Sequence, residues 1–394
     1  MTPVVRRLTA DDADRAGALG QEAFGPWPAG TATPVVDADG RRPWGAFDGD
    51  VLLAKATARP YESWWHGTPV ATTGIAGVAV AAEARGGGLL DALFAAVLAE
   101  AAEHGEVLST LYPTAPGIYR RFGYETVTSL DEVELSVASL ARVPAPAGVA
   151  VRRATLADVP TVRRLYDAWA ACQHGPLRRS GPSFPATDEE LLASATGLSL
   201  ALDGDEPVGF ALWQRGAGYD AAAVGLTVRD LVALTPEAAA ALWRVAGSFA
   251  SVSGAVRLRT SGSLASDPVR RVLPGSPGRL VDSRPYMLRV SDVAAALTLA
   301  ARASGWSGRA RLAVTGDPAG QDGTYVVTAG GAERTDGPAD VVVHPRGLAL
   351  AFAGVAAART LREDGLVSGP GDDAVDAFVD GLAGRAPVHV RDYF

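Results

Sequence analysis

The sequence predicts a mixed α/β (α+β) protein in which one α/β unit occurs twice and a smaller α+β unit follows. Three observations carry this. A basic, glycine-rich turn joins an apolar strand to an amphipathic helix across residues 78–98. A motif recurs: Val5-Arg6-Arg7-Leu8-Thr9-Ala10-Asp11-Asp12 returns at Val151-Arg152-Arg153-Ala154-Thr155-Leu156-Ala157-Asp158, and Asp48-Gly49-Asp50 returns, in the same order and at similar spacing, at Asp203-Gly204-Asp205. Past Pro274-Gly275-Ser276-Pro277-Gly278 the pattern changes to short strands and helices.

Bulk properties narrow the class. At 394 residues the chain exceeds one ordinary core, so two or three domains are expected. Apolar residues at 48% and charged residues at 20% give a normal globular balance. The single cysteine, Cys172, excludes an intrachain disulfide framework. No apolar run reaches membrane-spanning length and the first residues do not read as a signal peptide, so a cytoplasmic protein without a membrane partner is expected. A net charge of -8 argues against nucleic acid as main partner and suits a cationic small-molecule amine substrate.

In each copy of the repeated motif a short strand meets a threonine N-cap, followed by a helix with acidic residues in its first turn. Both Asp-Gly pairs lie between apolar stretches, as hairpin turns do. In the first copy, Val78-Ala79-Val80 runs into Glu83-Ala84-Arg85-Gly86-Gly87-Gly88-Leu89-Leu90-Asp91. Leu90, Leu93, Phe94, Val97 and Leu98 then recur at helical spacing, with Gly105 as the stop. Such a turn aims main-chain N–H groups and the positive end of a helix dipole at one point, which suits a pyrophosphate. The glycines remove the Cβ that would bar close approach, and Arg85 adds a charge-assisted contact. The turn has neither the GxGxxG spacing nor the P-loop ending, and a tight βα corner satisfies the same residues. A short apolar stretch at 107–111 then leads into Tyr112-Pro113-Thr114-Ala115-Pro116-Gly117-Ile118-Tyr119-Arg120-Arg121-Phe122-Gly123-Tyr124.

The second copy keeps the strand-to-helix order, with Thr235 as cap and Pro236 at the first helical position. No glycine opens its turn, no arginine faces a phosphate, and Glu237 would repel one, so residues 148–285 read as a degenerate copy. Proline-rich 142–148 reads as the linker before it. In the last unit, Ser291 reads as the cap of a helix through Ala300; 312–315, 324–328 and 341–344 read as strands, and 348–358 and 374–382 as helices. Residues 388–394 alternate as a strand does.

Arg85-x-x-Gly88-x-Leu90 and Tyr119-x-x-x-Gly123-Tyr124 resemble the acyl-CoA turn and the catalytic-helix motif of GNAT acetyltransferases. Arg-x-x-Gly-Leu-Leu and Gly-Ile-Tyr-x-Arg-Phe-Gly-Tyr look like the Eis (enhanced intracellular survival) branch of aminoglycoside N-acetyltransferases. The resemblance implies tandem GNAT domains over 1–147 and 148–285, the second degenerate, and a sterol-carrier-like domain over 286–394. It implies acetyl-CoA as co-substrate, no metal, and a homohexamer. It implies cofactor contacts from Val78, Ala79, Val80, Arg85, Gly86, Gly87, Gly88, Leu89, Leu90, Asp91, Thr114 and Ala115. Asp91 departs from the basic residue that family members carry there. Tyr119 is implied as general acid, although Tyr112, Phe122 and Tyr124 are close by; a phenol with a pKa near ~10 holds its proton at neutral pH.

Phe24 matches a pocket-lining aromatic of that branch. Trp27, Trp44, Trp64 and Trp65 also offer faces to a cationic amine, although core packing is the commoner role of tryptophan. His66, His104, His174, His344 and His389 are scattered, with no pair at metal-ligand spacing, and no Gly-x-Ser-x-Gly elbow is present. The strand 74–80 carries no carboxylate to serve as base, and Glu83 lies past it. Termini normally fray into polar tails, so the apolar finish Tyr393-Phe394 points to insertion, whether as a docked strand or with a chemical role. In the resemblance the α-carboxylate of Phe394 is the general base, with Asp392 as runner-up. The leading reading is an aminoglycoside or polyamine N-acetyltransferase. The alternatives are a lysine or biosynthetic-amine acetyltransferase, or a lipid-binding scaffold.

Overall fold

The two copies of the repeated motif fold alike. In each, the main-chain N–H of the threonine donates to an aspartate three residues on, Thr9 to Asp12 at 2.9 Å and Thr155 to Asp158 at 2.8 Å. An arginine from the preceding strand closes the same ring, Arg6 on Asp12 and Arg152 on Asp158, each at 2.7 Å. These guanidinium contacts hold both carboxyls well below the usual carboxylate range. Seven consecutive residues thus close their own turn in both places, which is why the motif is legible in sequence.

The computed structural model describes residues 3–26, 36, 38–262, 267–273, 275, 278–371, 373–384 and 386–394. The first unit runs β1 (Val4–Arg7), α1 (Ala13–Phe24), β2 (Arg42–Asp48), β3 (Val51–Trp65), β4 (Thr68–Val80), α2 (Leu89–Glu103), β5 (Leu108–Leu111), α3 (Pro116–Arg120), β6 (Glu125–Ser136) and α4 (Val137–Leu140). The second runs β7 (Val149–Arg153), α5 (Val159–Ala170), α6 (Asp188–Ala193), β8 (Gly197–Asp203), β9 (Glu206–Arg215), β10 (Gly225–Ala233), α7 (Pro236–Gly247), β11 (Ala255–Ser261), α8 (Pro268–Arg271) and β12 (Arg279–Val290). The last runs α9 (Val293–Ser304), β13 (Ala310–Val314), β14 (Gly323–Thr328), β15 (Gly331–Thr335), β16 (Val341–Val343), α10 (Pro345–Ala353), α11 (Ala358–Glu363), β17 (Val367–Ser368) and α12 (Asp373–Gly381). Both Asp-Gly turns are hairpins, with Gly49 and Gly204 in the left-handed region at φ 55° and 58°.

The first two units share one twelve-stranded sheet, ordered β1-β2-β3-β4-β5-β12-β6-β11-β10-β9-β8-β7. Its two parallel pairs, β4·β5 and β10·β11, belong to equivalent βαβ units closed by α2 and α7. Strand β12 enters between β5 and β6, so a segment late in the chain completes the sheet of the first unit. The expected boundary at 285/286 therefore falls inside a strand. On α2, Leu89, Leu93, Phe94, Val97 and Leu98 are buried against the sheet, each contributing about 1.5–3 kcal/mol on full burial. The last unit has its own five-stranded sheet, ordered β15-β14-β13-β16-β17, and shares a core with Trp65, Leu108, Val127 and Leu130 of the first. No helix among the described residues is long and apolar enough to cross a membrane.

Several local expectations are corrected. The cap of α9 is Asp292, whose carboxylate accepts from the N–H of Ala295 at 2.9 Å, one residue past Ser291. The helix expected over 348–358 starts earlier and stops at Gly354, which takes φ 68°, and α11 is separate. The linker is docked: Val143 is buried and its carbonyl accepts from Arg244 at 2.7 Å. Residues 388–394 form no strand; a single bridge links Val388 to His174, and beyond it side-chain contacts replace ladder bonds.

Three imidazoles lie where the units and the tail meet. The rings of His66 and His174 are 4.5 Å apart, and His389 lies 5.1 Å from Trp169. Burial lowers His66 to about 4, His174 to about 3 and His389 to about 3. The folded chain therefore binds fewer protons than the unfolded chain between the ordinary imidazole value of about 6.5 and about 4. Stability is full above that window and is lost as pH falls through it. The melting temperature is expected to drop steeply between pH 7 and pH 5, read by thermal unfolding; equal values at the two pH values would overturn this.

Candidate active site

Strand β4 splits from β5. Rungs join Thr72–Ile75 to Leu108–Leu111 and then cease, while β4 continues to Val80 on β3. The departure coincides with a bulge: Ala76 faces Thr57 and Ala79 faces Lys55, so Gly77 and Val78 both stand against Ala56. Gly77 takes φ 59°, a conformation open to glycine, and the extra residue turns the strand. Beyond Ile75 the β5-facing edge of β4 has no strand partner among the described residues. Val78 and Val80 present their side chains to the resulting cleft, whereas the side chain of Ala79 packs beneath α1 with Leu19 and Phe47.

The cleft has a volume of about 650 Å³. Its wall includes Arg85, Gly86, Gly87, Gly88, Leu89, Leu90, Thr114, Ala115 and Tyr119. Gly86 and Gly88 take φ 78° and 73°, and Gly88 is the left-handed N-cap of α2. The N–H groups of Gly86, Gly87 and Gly88 donate to no described residue. A glycine cradle with open donors at a helix start fits a pyrophosphate. Asp91 is not among the residues that wall the cleft. Its carboxylate pairs with Arg121 at 3.3 Å, and Arg121, which the sequence reading passed over, lines the cleft. No local pattern signals that contact, because Asp91 lies on α2 and Arg121 follows the end of α3.

Four aromatic residues competed for the acid role, and geometry separates them. Tyr124 is fully buried, with its hydroxyl 2.6 Å from Ser109 Oγ. Tyr112 donates to the main-chain oxygen of Asp392 at 2.6 Å, and Phe122 stacks on Phe94 at 4.4 Å. Tyr119 alone among them lines the cleft, and its hydroxyl has no hydrogen-bond partner among the described residues. Burial pushes this phenol up to about 12. The helix that carries it is held from behind. Arg289 of β12 donates to the Phe122 carbonyl at 2.5 Å and pairs with Asp317 at 2.7 Å. Gly123, at φ 82°, leaves the room that Arg289 fills. Glu125 ties Arg120 at 3.0 Å to Arg346 of α10 at 2.6 Å.

Phe394 lies over the paired part of β4, outside the cleft wall. Its ring packs on Tyr61 at 5.1 Å and Tyr112 at 5.3 Å, and a Cβ on Gly74 would run into the rings of Tyr61 and Phe394. Gly74 is thus small because the tail passes over it, one residue before the last rung between β4 and β5. The Asp392 carboxylate points elsewhere, bound by Arg179 at 3.1 Å and Tyr166 at 3.2 Å.

The expected aromatic cleft is reduced. Phe24, at the end of α1, is 57% exposed and lines the cleft. Trp44 instead bonds Glu100 at 2.7 Å, Trp64 packs on the core of the second unit, and Trp65 is fully buried between His174 and Phe352. Trp27 lies outside the described residues. Tyr61 and Phe184, 5.5 Å apart beside Phe394, were not foreseen.

Comparison with known proteins agrees with this geometry. A family model described as an acetyltransferase (GNAT) domain matches residues 4–127, and a second of the same description matches 175–290. The crystal structure of a GCN5-related N-acetyltransferase from Kribbella flavida is 30% identical, aligns over 100% of this chain and 99% of its own, and superposes with a TM-score of 0.80. This chain belongs to the GCN5-related N-acetyltransferase family. An uncharacterized N-acetyltransferase of Streptomyces avermitilis is 33% identical over 211 residues; that alignment covers 51% of this chain and spans about half, 52%, of the relative's length. Eis1 from Mycobacterium abscessus shares the fold, with a TM-score of 0.74 at 21% identity over 99% of this chain and 100% of its own. In this member of the family, the tandem units differ at the turn: the second opens α7 with Thr235, which accepts from the N–H of Ala238 at 3.1 Å, and Pro236.

Proposed function

We propose that this protein transfers an acetyl group from acetyl-CoA to a primary amine, with aminoglycosides or similar polyamines as the acceptor class. The observation that carries the reading is one cleft walled by both the glycine cradle and Tyr119. Gly86, Gly87, Gly88 and Arg85 hold the pyrophosphate, and the open edge of β4 at Val78–Val80 holds the pantetheine arm. Bound acetyl-CoA supplies an acyl thioester activated toward an amine. The chain's own tasks are then two proton transfers. The α-carboxylate of Phe394, ordinarily ionised above about 3.3–3.7, takes a proton from the acceptor amine. The Tyr119 phenol gives its proton on the thiol side. The aminoglycoside class rests on the resemblance of the two motifs to the Eis branch and on Phe24 at the cleft.

The test is thiol release from acetyl-CoA with a panel of aminoglycosides, small diamines and a lysine peptide. Turnover confined to the peptide would replace the acceptor class. No turnover with any amine, with no acetyl-CoA binding by calorimetry, would replace the enzyme reading by a scaffold. Gly88→Val gives a separate check of the cradle. A β-branched residue at φ 73° is strained by about 1–3 kcal/mol, and its side chain bars close phosphate approach. Losing charge-assisted bonds raises the KM for acetyl-CoA by about tenfold or more. An unchanged KM would remove the turn from the site.

A further inference from the structure

The second unit inherits the same strand split as the first. Rungs join Gly225–Val228 of β10 to Ala255–Leu258 of β11 and then stop, and β10 carries its own bulge at Arg229, between Val228 and Asp230. In the first unit the equivalent opening faces the cleft. In the second it is filled by the side chain of Arg391, 1% exposed. Arg391 donates to the carbonyl of Arg259, one residue past the last rung on β11, at 3.0 Å. It reaches Asp267 at 3.4 Å and lies 4.0 Å from Asp230, two residues past the last rung on β10. Its Nε donates to Nε2 of His389 at 2.8 Å, which places the proton of that neutral imidazole on Nδ1. Trp169 closes the guanidinium face at 5.0 Å.

Asp230 is 2% exposed and also pairs with Arg179, which binds Asp392. Asp392 is thereby held from both units: its side chain by Arg179 and Tyr166, its main-chain oxygen by Tyr112. The tail is bracketed further back, where Pro387 accepts from the N–H of His174 at 2.9 Å and His389 donates to His174 at 2.8 Å. Only Tyr393 and Phe394 pass beyond this grip, over Gly74 and Tyr112.

We propose that the second unit has turned its strand split into a socket for Arg391, and that Asp230 and Arg391 are positioning residues that fix where Phe394 presents its carboxylate. Chain ends fray, and a general base must be held to a fraction of an ångström. An apolar plug would stabilise the tail as well as a buried ion pair does or better, but a forked guanidinium between two carboxylates and a carbonyl fixes register. The proposal rests on the reading of Phe394 as base.

The test uses the full chain and two readouts. Carboxypeptidase release of Phe394, without acetyl-CoA, reports how firmly the tail is held. Asp230→Asn and Arg391→Met are expected to speed that release by about tenfold or more. They lower kcat by at least about tenfold and leave the KM for acetyl-CoA within about twofold. Arg391→Lys, which keeps the charge and loses the fork, stands in if the methionine variant does not fold. In a chain whose Phe394 carboxylate is already blocked by an extension, Asp230→Asn causes no further loss of kcat. Wild-type release and wild-type kcat in the variants would overturn the socket, as would a loss that multiplies onto the blocked chain. If blocking the carboxylate leaves turnover intact, the base reading fails instead, and the release rates still decide the socket.

Discussion

Tyr119→Phe is expected to lower kcat by about 10²–10⁴-fold, the usual cost of losing a positioned acid, with the KM for acetyl-CoA nearly unchanged. The size follows from isolation. The hydroxyl belongs to a residue of the cleft wall and has no hydrogen-bond partner among the described residues, so no other group shares its proton there. Burial pushes the phenol up to about 12, so it carries its proton throughout the neutral and mildly alkaline range. Its own titration would therefore not produce a fall in rate below about pH 11. Removing a hydroxyl without a partner among the described residues also leaves stability almost unaltered. Steady-state kinetics with a melting curve read both parts. Near wild-type turnover would remove Tyr119 from the chemistry. Tyr124 is no substitute, being enclosed and bonded to Ser109.

Extending the chain past Phe394 turns its carboxylate into a neutral amide, and acetyl transfer is expected to fall by about 10²–10⁴-fold. Acetyl-CoA binding, followed by calorimetry, is expected to be retained, because Phe394 is not among the residues that wall the cleft of the glycine cradle. Deleting Phe394 removes in addition the ring packed on Tyr61 and Tyr112. The deletion should therefore match or exceed the extension in its effect on turnover. A tagged chain that works normally would show that this carboxylate is not the base. Asp392 does not fill the gap, since Arg179 and Tyr166 engage its carboxylate.

The sequence by itself determined whatever is closed by residues near one another in the chain. The threonine-aspartate caps, the two Asp-Gly hairpins, the glycine cradle of 85–88 and the Thr235-Pro236 start of α7 are each set by a few consecutive residues. The duplication was legible for the same reason, because both copies keep those local devices. The ends of α9 and α10 were misplaced by a residue or more, where neighbouring polar and glycine residues offer competing stops. Only the tertiary structure decided which tyrosine lines the cleft, that Arg121 meets Asp91, and that Trp44, Trp64 and Trp65 are not part of the cleft wall. It also decided that β12 enters between β5 and β6 and that Arg391 fills the second strand split. The β12 pairings and the Arg391–Asp267 contact join residues more than a hundred positions apart, and periodicity in a single chain records which face of an element is buried but not what covers it.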